Sequence, residues 1–115
     1  MEKLEDYRYE LIKVLKFIDG DTIKALIGKD IGFGTYLTWK VKLRFVDIDC
    51  PQRNEPGFNE ATEYTKQWLE QPGQVIVETF KTQSFDRWMA RLTRNGEDLS
   101  QKLLEEGHST VYKSK

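Results

Sequence analysis

Apolar and polar residues alternate through most of the first half of the chain, the pattern of strands that bury one face. Two such runs cover residues 7–18 and 21–27, and the Asp19-Gly20 pair between them predicts a tight turn. The glycine-containing segment 28–34 predicts the next connection, and a longer strand is expected from about Tyr36 to Ile48. The chain should therefore begin with three consecutive strands.

The spacing of apolar residues changes after a loop at 51–57 that is rich in proline and polar residues. The elements predicted there are a helix at about 59–70, strands at 75–80 and 88–93, and a short helix after Asp98. Three strands, a helix, two strands and a helix give too few crossovers for a parallel sheet. The order favours an α+β, mainly β fold: a five-stranded Greek-key barrel of the OB type.

Length and composition limit the alternatives. A chain of 115 residues with 32% charged and 12% aromatic residues is expected to fold as one domain, residues 1–115, with 1–6 as a flexible N-terminus. The net charge of -1 gives no global attraction for nucleic acid, so such a partner would need a local basic cluster.

Targeting signals are lacking in the sequence as it stands. No apolar segment resembles a signal peptide or reaches membrane-spanning length, and the single cysteine, Cys50, excludes an intramolecular disulfide. These features predict a protein without membrane contact in the cytoplasm or another intracellular compartment.

Candidate chemistry lies at the ends of two predicted strands. Asp21 follows the first strand in the segment Asp19-Gly20-Asp21-Thr22, and Asp49 ends the third strand. Arg44 precedes Asp49 by five residues. Two carboxylates and an arginine, if brought together, would suit a hard cation and a phosphate group.

Four segments in a fixed order extend this pattern. They are Asp19 to Thr22, Arg44 to Pro51, Thr82 to Ala90, and Leu103 to Tyr112. Together they resemble the thermonuclease, or staphylococcal-nuclease-like, family, and segment 31–34 resembles its phage and bacterial members. The resemblance implies the OB barrel with two or three helices, since little sequence follows Tyr112 to form the family's last helix.

The family hydrolyses phosphodiester bonds in DNA and RNA and uses calcium. The resemblance implies that Asp21 and Asp49 bind Ca²⁺ and that Cys50 contributes its backbone carbonyl. Oxygen ligands suit calcium, whereas the thiol sulfur of Cys50 would be a poor ligand.

The resemblance also implies residues that contact the substrate. Arg44 and Arg87 correspond to the phosphate-binding arginines, whose paired N–H donors can stabilise charge in the transition state. Phe85 corresponds to the aromatic residue against which a nucleotide packs, an interaction worth about 1–3 kcal/mol per base. The expected partners are single-stranded or frayed DNA and RNA.

Three positions depart from the family pattern. Gln52 replaces the glutamate that acts as general base, and an amide cannot supply the rate gain of about 10²–10⁴ that such a base provides. Asp86 replaces a glycine next to Arg87, and Gln83 replaces an aspartate. Two nearby acids, Glu55 and Asp47, are candidate substitutes for the missing carboxylate.

Simpler interpretations stay open at this point. Asp19-Gly20 alone predicts a hairpin turn, and Arg44 could pair with Asp47 or Asp49. The single histidine, His108, is expected to be structural. Five lysines are either a solvated strand face or a guide for a nucleic-acid backbone: Lys13, Lys16, Lys24, Lys40 and Lys42. The alternatives to a nuclease are a catalytically silent nucleic-acid-binding module and an interaction domain.

Overall fold

The computed structural model describes residues 7–80 and 88–111, which form eight strands and two helices. In chain order they are β1 (Arg8–Asp19), β2 (Thr22–Gly32), β3 (Thr35–Phe45), β4 (Ile48–Asp49), α1 (Phe58–Glu70), β5 (Ile76–Phe80), β6 (Trp88–Arg94), β7 (Glu97–Asp98), α2 (Leu99–Glu105) and β8 (Thr110–Val111). Neither helix in these ranges has the length and apolar character needed to cross a membrane. The N-terminal segment 1–6 lies outside the described residues.

Five strands close into a barrel. Strands β3, β2, β1, β5 and β6 follow one another through antiparallel pairs. The barrel closes because residues Leu43 to Phe45 of β3 pair in parallel with Trp88 to Ala90 of β6. The mainly β, five-stranded OB-type fold predicted from the order of elements is confirmed, with two helices in the described part of the chain.

Alternate residues of β2 and β3 fill the barrel. Ile23, Ala25 and Ile27 of β2 are fully buried, and Leu43 of β3 joins them, as expected when successive side chains point to opposite faces of a strand. Trp68 of α1 packs against this core. One face of each strand is therefore fixed by burial, so its polar residues necessarily lie on the outer face.

The second connection differs from the prediction. Strand β2 continues through Gly28 to Gly32, and the turn lies at Phe33 and Gly34, whose φ angles are 59° and 72°. Gly28 is needed for space, because a Cβ atom there would lie 2.5 Å from Cε2 of Tyr36 on β3. Glycine in a strand interior often marks such a close approach rather than a turn.

The long third strand is also interrupted. It ends at Phe45, and a turn at Val46 and Asp47 separates it from β4. Asp47 has a φ of 70°, a conformation that aspartate tolerates better than most residues. This turn carries Asp49 back toward the barrel end at which β1 finishes.

Candidate active site

Asp21 lies in the turn between β1 and β2 and is only 3% exposed. Its Oδ1 accepts a hydrogen bond from the Thr22 hydroxyl at 2.8 Å, and its Oδ2 accepts one from the Cys50 backbone N–H at 2.7 Å. Both carboxylate oxygens are therefore held by neighbouring groups. Cys50 contacts Asp21 through its backbone N–H. The sequence had instead suggested a role for the Cys50 carbonyl, as a ligand of Ca²⁺.

Helix α1 fixes this turn through Gly20. The Gly20 carbonyl accepts a hydrogen bond of 2.6 Å from the Thr65 hydroxyl. A Cβ atom at position 20 would lie 2.8 Å from Cβ of Ala61 and 3.0 Å from Sγ of Cys50. Only glycine allows the helix to pack this closely, so the residue between the two aspartates sets the position of both.

Arg44 joins the two predicted metal ligands. Its Nη1 lies 3.2 Å from Oδ2 of Asp21, and its Nη2 lies 3.0 Å from Oδ1 of Asp49. Nη1 also donates to the carbonyls of Phe45 and Ile48, both at 3.0 Å. The structure thus brings together Asp21, Arg44 and Asp49. The pairing with Asp49, left open by the sequence, is present, and the pairing with Asp21 was not foreseen.

Exposure differs sharply within this cluster. The side chain of Asp49 is 50% exposed, whereas the side chains of Arg44 and Asp21 are 13% and 4% exposed. Asp21 and Arg44 therefore form the fixed, desolvated part of the cluster. Asp49 is the member that solvent and ligands reach.

Asp19 also lies in this cluster, although the sequence predicted only a turn at this position. Its Oδ1 accepts a hydrogen bond of 3.1 Å from the Asp21 backbone N–H. Burial, followed by the hydrogen bond to the Asp21 carboxyl group and that group's charge, raises the pKa of Asp19 to about 7. Its position two residues before Asp21, across a glycine turn, was the signal that could have identified it.

This raised pKa predicts how stability depends on pH. Between its ordinary pKa of 3.8 and the folded value of about 7, Asp19 holds a proton in the folded chain that the unfolded chain has released. The free energy of unfolding of the metal-free protein should therefore fall as pH rises through this interval. Urea unfolding in EDTA across the interval measures the slope. Asp19→Asn should reduce it and the exposed Asp30→Asn should not; equal slopes in both variants would contradict the prediction.

The two acids proposed to replace the missing glutamate differ in position. Glu55 accepts a hydrogen bond of 2.7 Å from the Gln52 backbone N–H, and it lines a cavity of about 280 Å³ with Asp49 and Cys50. Asp47 instead forms an ion pair of 3.0 Å with Arg91. Glu55 therefore remains a candidate base, and the contact with Arg91 argues against Asp47.

His108 lines the same cavity and also packs against α1. Its ring centroid lies 4.9 Å from that of Tyr64, and its backbone N–H donates to the Leu103 carbonyl at 2.9 Å. These contacts agree with the structural role expected from the sequence.

Comparison with protein families adds an independent observation. A family model described as staphylococcal nuclease homologue matches residues 42–115, more than half of the chain. The chain belongs to this family. A separate comparison with curated individual proteins finds no match. Membership of this family indicates a nuclease or a nucleic-acid-binding module.

The family match covers only part of the cluster. Its range includes the positions of Arg44, Asp49 and Gln52, but it begins after Asp21. The fold supplies Asp21, because β2 pairs with β3 so that Thr22 lies opposite Arg44. The roles assigned to these residues stay predictions: Arg44 and Asp49 lie inside the matched range, and strand register brings Asp21 beside them.

Four predicted residues lie outside the described residues: Gln83, Phe85, Asp86 and Arg87. The strands that flank this segment end beside the cluster, since Met89 of β6 is opposite both Phe80 of β5 and Arg44 of β3. The assignments of Arg87 to phosphate and Phe85 to a nucleotide stay predictions.

The donor atoms at the site suit calcium. Within residues 7–80 and 88–111, no three or more acidic, histidine or cysteine side chains form a ready-made metal cluster. However, the carboxylates of Asp19, Asp21 and Asp49 are hard oxygen donors. A bound cation would offset the mutual repulsion of the neighbouring Asp19 and Asp21 carboxylates, and oxygen donors of this type are those that Ca²⁺ prefers.

Proposed function

We propose that this chain is a calcium-dependent nuclease that hydrolyses phosphodiester bonds in single-stranded or frayed DNA and RNA. The observation that carries the proposal is the Asp21–Arg44–Asp49 cluster at one end of the barrel. Burying charged groups is costly even when they are paired. A domain that served only as a protein-interaction scaffold would have no need of this cluster, which argues against that alternative.

Asp21, Asp49 and the Cys50 carbonyl would hold the cation. Bound calcium would neutralise charge on the phosphate and lower the pKa of a coordinated water. Thr22 and the Cys50 N–H fix the orientation of the Asp21 carboxylate, and Arg44 also contacts its Oδ2. Asp49 is the half-exposed ligand and completes the site from the solvent side.

Arg44 binds the phosphate in this proposal. Its Nη2 contacts the exposed carboxylate of Asp49. When Asp49 turns to the cation, the N–H donors of Nη2 become available to a phosphate oxygen and can stabilise the charge that develops during hydrolysis. Arg87 supplies the second guanidinium group and Phe85 packs against a base, as the family resemblance implies.

A silent nucleic-acid-binding module is the second candidate, and Gln52 is the observation that favours it. The side chain of Gln52 is exposed, and its amide cannot take a proton from water near neutral pH. This candidate predicts that the cluster still binds phosphate while hydrolysis does not occur.

Calcium removal tests the proposed function. With a fluorescent single-stranded oligonucleotide, we expect cleavage in Ca²⁺, loss of cleavage in EDTA, and recovery when Ca²⁺ is restored. Gel electrophoresis of the products over time measures the rate, and anisotropy measures binding in the same samples. Cleavage that survives EDTA would contradict calcium dependence. Binding without cleavage in Ca²⁺ would identify the silent module.

A further inference from the structure

Strand register places five lysines on one outer face of the barrel. Lys16 of β1 lies opposite Lys24 of β2, and Lys24 lies opposite Lys42 of β3. These three lysines form one row across the strands. In the next row on the same face, Lys13 of β1 and Lys40 of β3 lie on either side of Leu26 of β2. Directly opposite residues in antiparallel strands point to the same face, so these five side chains form one surface, called here the lysine face.

Bulges in β1 create this arrangement. Its register against β2 shifts between Leu11 and Lys13, between Val14 and Lys16, and between Phe17 and Asp19. Residues spaced by three in β1 therefore share a face with residues spaced by two in β2. The sequence left these five lysines as either a solvated strand face or a guide for a nucleic-acid backbone, and only the register shows their alignment, because their spacing differs between the strands.

The lysine face is not neutralised by neighbouring acids. Among the described residues, none of the five lysines forms an ion pair, although the whole chain has a net charge of -1. Like charges directly opposite one another on a sheet destabilise the fold. An anion bound across the five lysines would offset this repulsion.

The lysine face is continuous with the candidate active site. The row that precedes Lys16, Lys24 and Lys42 consists of Asp19, Thr22 and Arg44. At the far end, Glu10 accepts a hydrogen bond of 2.8 Å from the Tyr36 hydroxyl, so an acidic residue closes the basic surface. The lysines thus extend from the phosphate-binding arginine in one direction along the barrel.

We infer that the lysine face holds the phosphate backbone of a single-stranded nucleic acid while its scissile phosphate lies at Arg44. Residues two apart on a strand are separated by about 6.7 Å, a spacing that an extended strand of phosphates can follow. The outer face of β2 and β3 is also where OB barrels bind oligonucleotides. The inference rests on the proposed function for the choice of polymer and assigns that site a second, non-catalytic contact surface.

Binding of a fluorescein-labelled deoxythymidine oligonucleotide of about 16 nucleotides, near the upper site size of an OB barrel, tests the inference. Anisotropy is measured in EDTA over a range of salt concentrations, and electrophoresis confirms that the oligonucleotide stays intact. Lys24→Gln/Lys42→Gln should weaken binding roughly 10- to 30-fold at 0.1 M salt. It should also lower the slope of log affinity against log salt by about 1.4, since each phosphate contact to a single strand contributes about 0.7.

The matched control is Lys66→Gln/Lys102→Gln, which removes the same charge from the two helices. It should leave the affinity and the salt slope close to those of the wild type. Equal weakening by both pairs would show a general charge effect and overturn the inference. Wild-type affinity in Lys24→Gln/Lys42→Gln would overturn it as well, and so would tighter binding to anionic phosphatidylserine vesicles than to the oligonucleotide.

A short substrate separates this inference from the proposed function. A labelled dinucleotide with a single internal phosphate places that phosphate at Arg44 and has no other phosphate to contact Lys24 or Lys42 in the adjacent row. Lys24→Gln/Lys42→Gln should therefore cleave it at the wild-type rate in Ca²⁺ while binding the long oligonucleotide weakly. The wild type could cleave neither substrate while Lys24→Gln/Lys42→Gln still loses affinity for the long oligonucleotide. That result would contradict the proposed hydrolysis and support the inference about the lysine face.

Discussion

Replacing Gln52 by glutamate is expected to raise calcium-dependent cleavage of single-stranded DNA by about 10²–10⁴-fold. The exposed side chain follows Cys50 by two residues, and its backbone N–H is held by Glu55 at 2.7 Å. A carboxylate of the same length would add the proton acceptor that the amide lacks. Initial rates of the wild type and Gln52→Glu, in Ca²⁺ and in EDTA, measure the gain.

Two further variants make this result specific. Gln74→Glu introduces the same change at another exposed position, shortly before β5, and should leave the rate unchanged. Glu55→Gln should lower the wild-type rate if Glu55 acts as the base, and the loss should be smaller once Gln52→Glu is present. An active wild type whose rate does not change in Gln52→Glu would show that no base acts from position 52.

Asp21→Asn is expected to lower cleavage by about 10²–10³-fold while the protein stays folded, the range seen when one fixed electrostatic group is lost. The amide oxygen can still accept from the Cys50 N–H and from Arg44. The Thr22 hydroxyl, which donates to Asp21, can rotate to accept from the new amide nitrogen. The charge needed for calcium is lost, whereas the hydrogen bonds are kept.

Rates, circular dichroism and calcium titration together test this expectation. The matched control is Asp30→Asn, at an exposed aspartate near the end of β2, which should cleave as the wild type does. A folded Asp21→Asn protein that retains the wild-type rate would remove Asp21 from the proposed mechanism. If Asp21→Asn unfolds, the loss of activity says nothing about calcium, and Asp49→Asn, at the half-exposed position, becomes the decisive variant.

The sequence predicted the barrel because its signals are local. Alternation with a period of two identified β1, β2, β3, β5 and β6, and the change to helical spacing identified α1, whose start at Phe58 lies one residue from the prediction. Asp21, Arg44 and Asp49, at or near the ends of the predicted strands, were the candidate site residues, and the structure brings them together. Such signals depend only on residues close together in the sequence, so they can be recognised without knowledge of tertiary contacts.

Local signals failed where distant residues decide the conformation. Gly28 was interpreted as part of a turn, yet it lies within β2 because the ring of Tyr36 crosses it. The burial of Asp19 and its contact with Asp21 likewise depend on packing, since α1 covers the turn through Thr65 and Ala61. Neither effect can be derived from the identity of adjacent residues.

The sequence by itself determined the type of fold and the residue types from which a phosphate and cation site can be built. Only the tertiary structure decided that Arg44 bridges Asp21 and Asp49, and that five lysines align beside it. Both outcomes follow from strand register, which the bulges of β1 and the closure of β3 on β6 set together. Register joins residues that are far apart in the chain, and the requirement to bury one apolar face of each strand fixes it only when all strands pack at once.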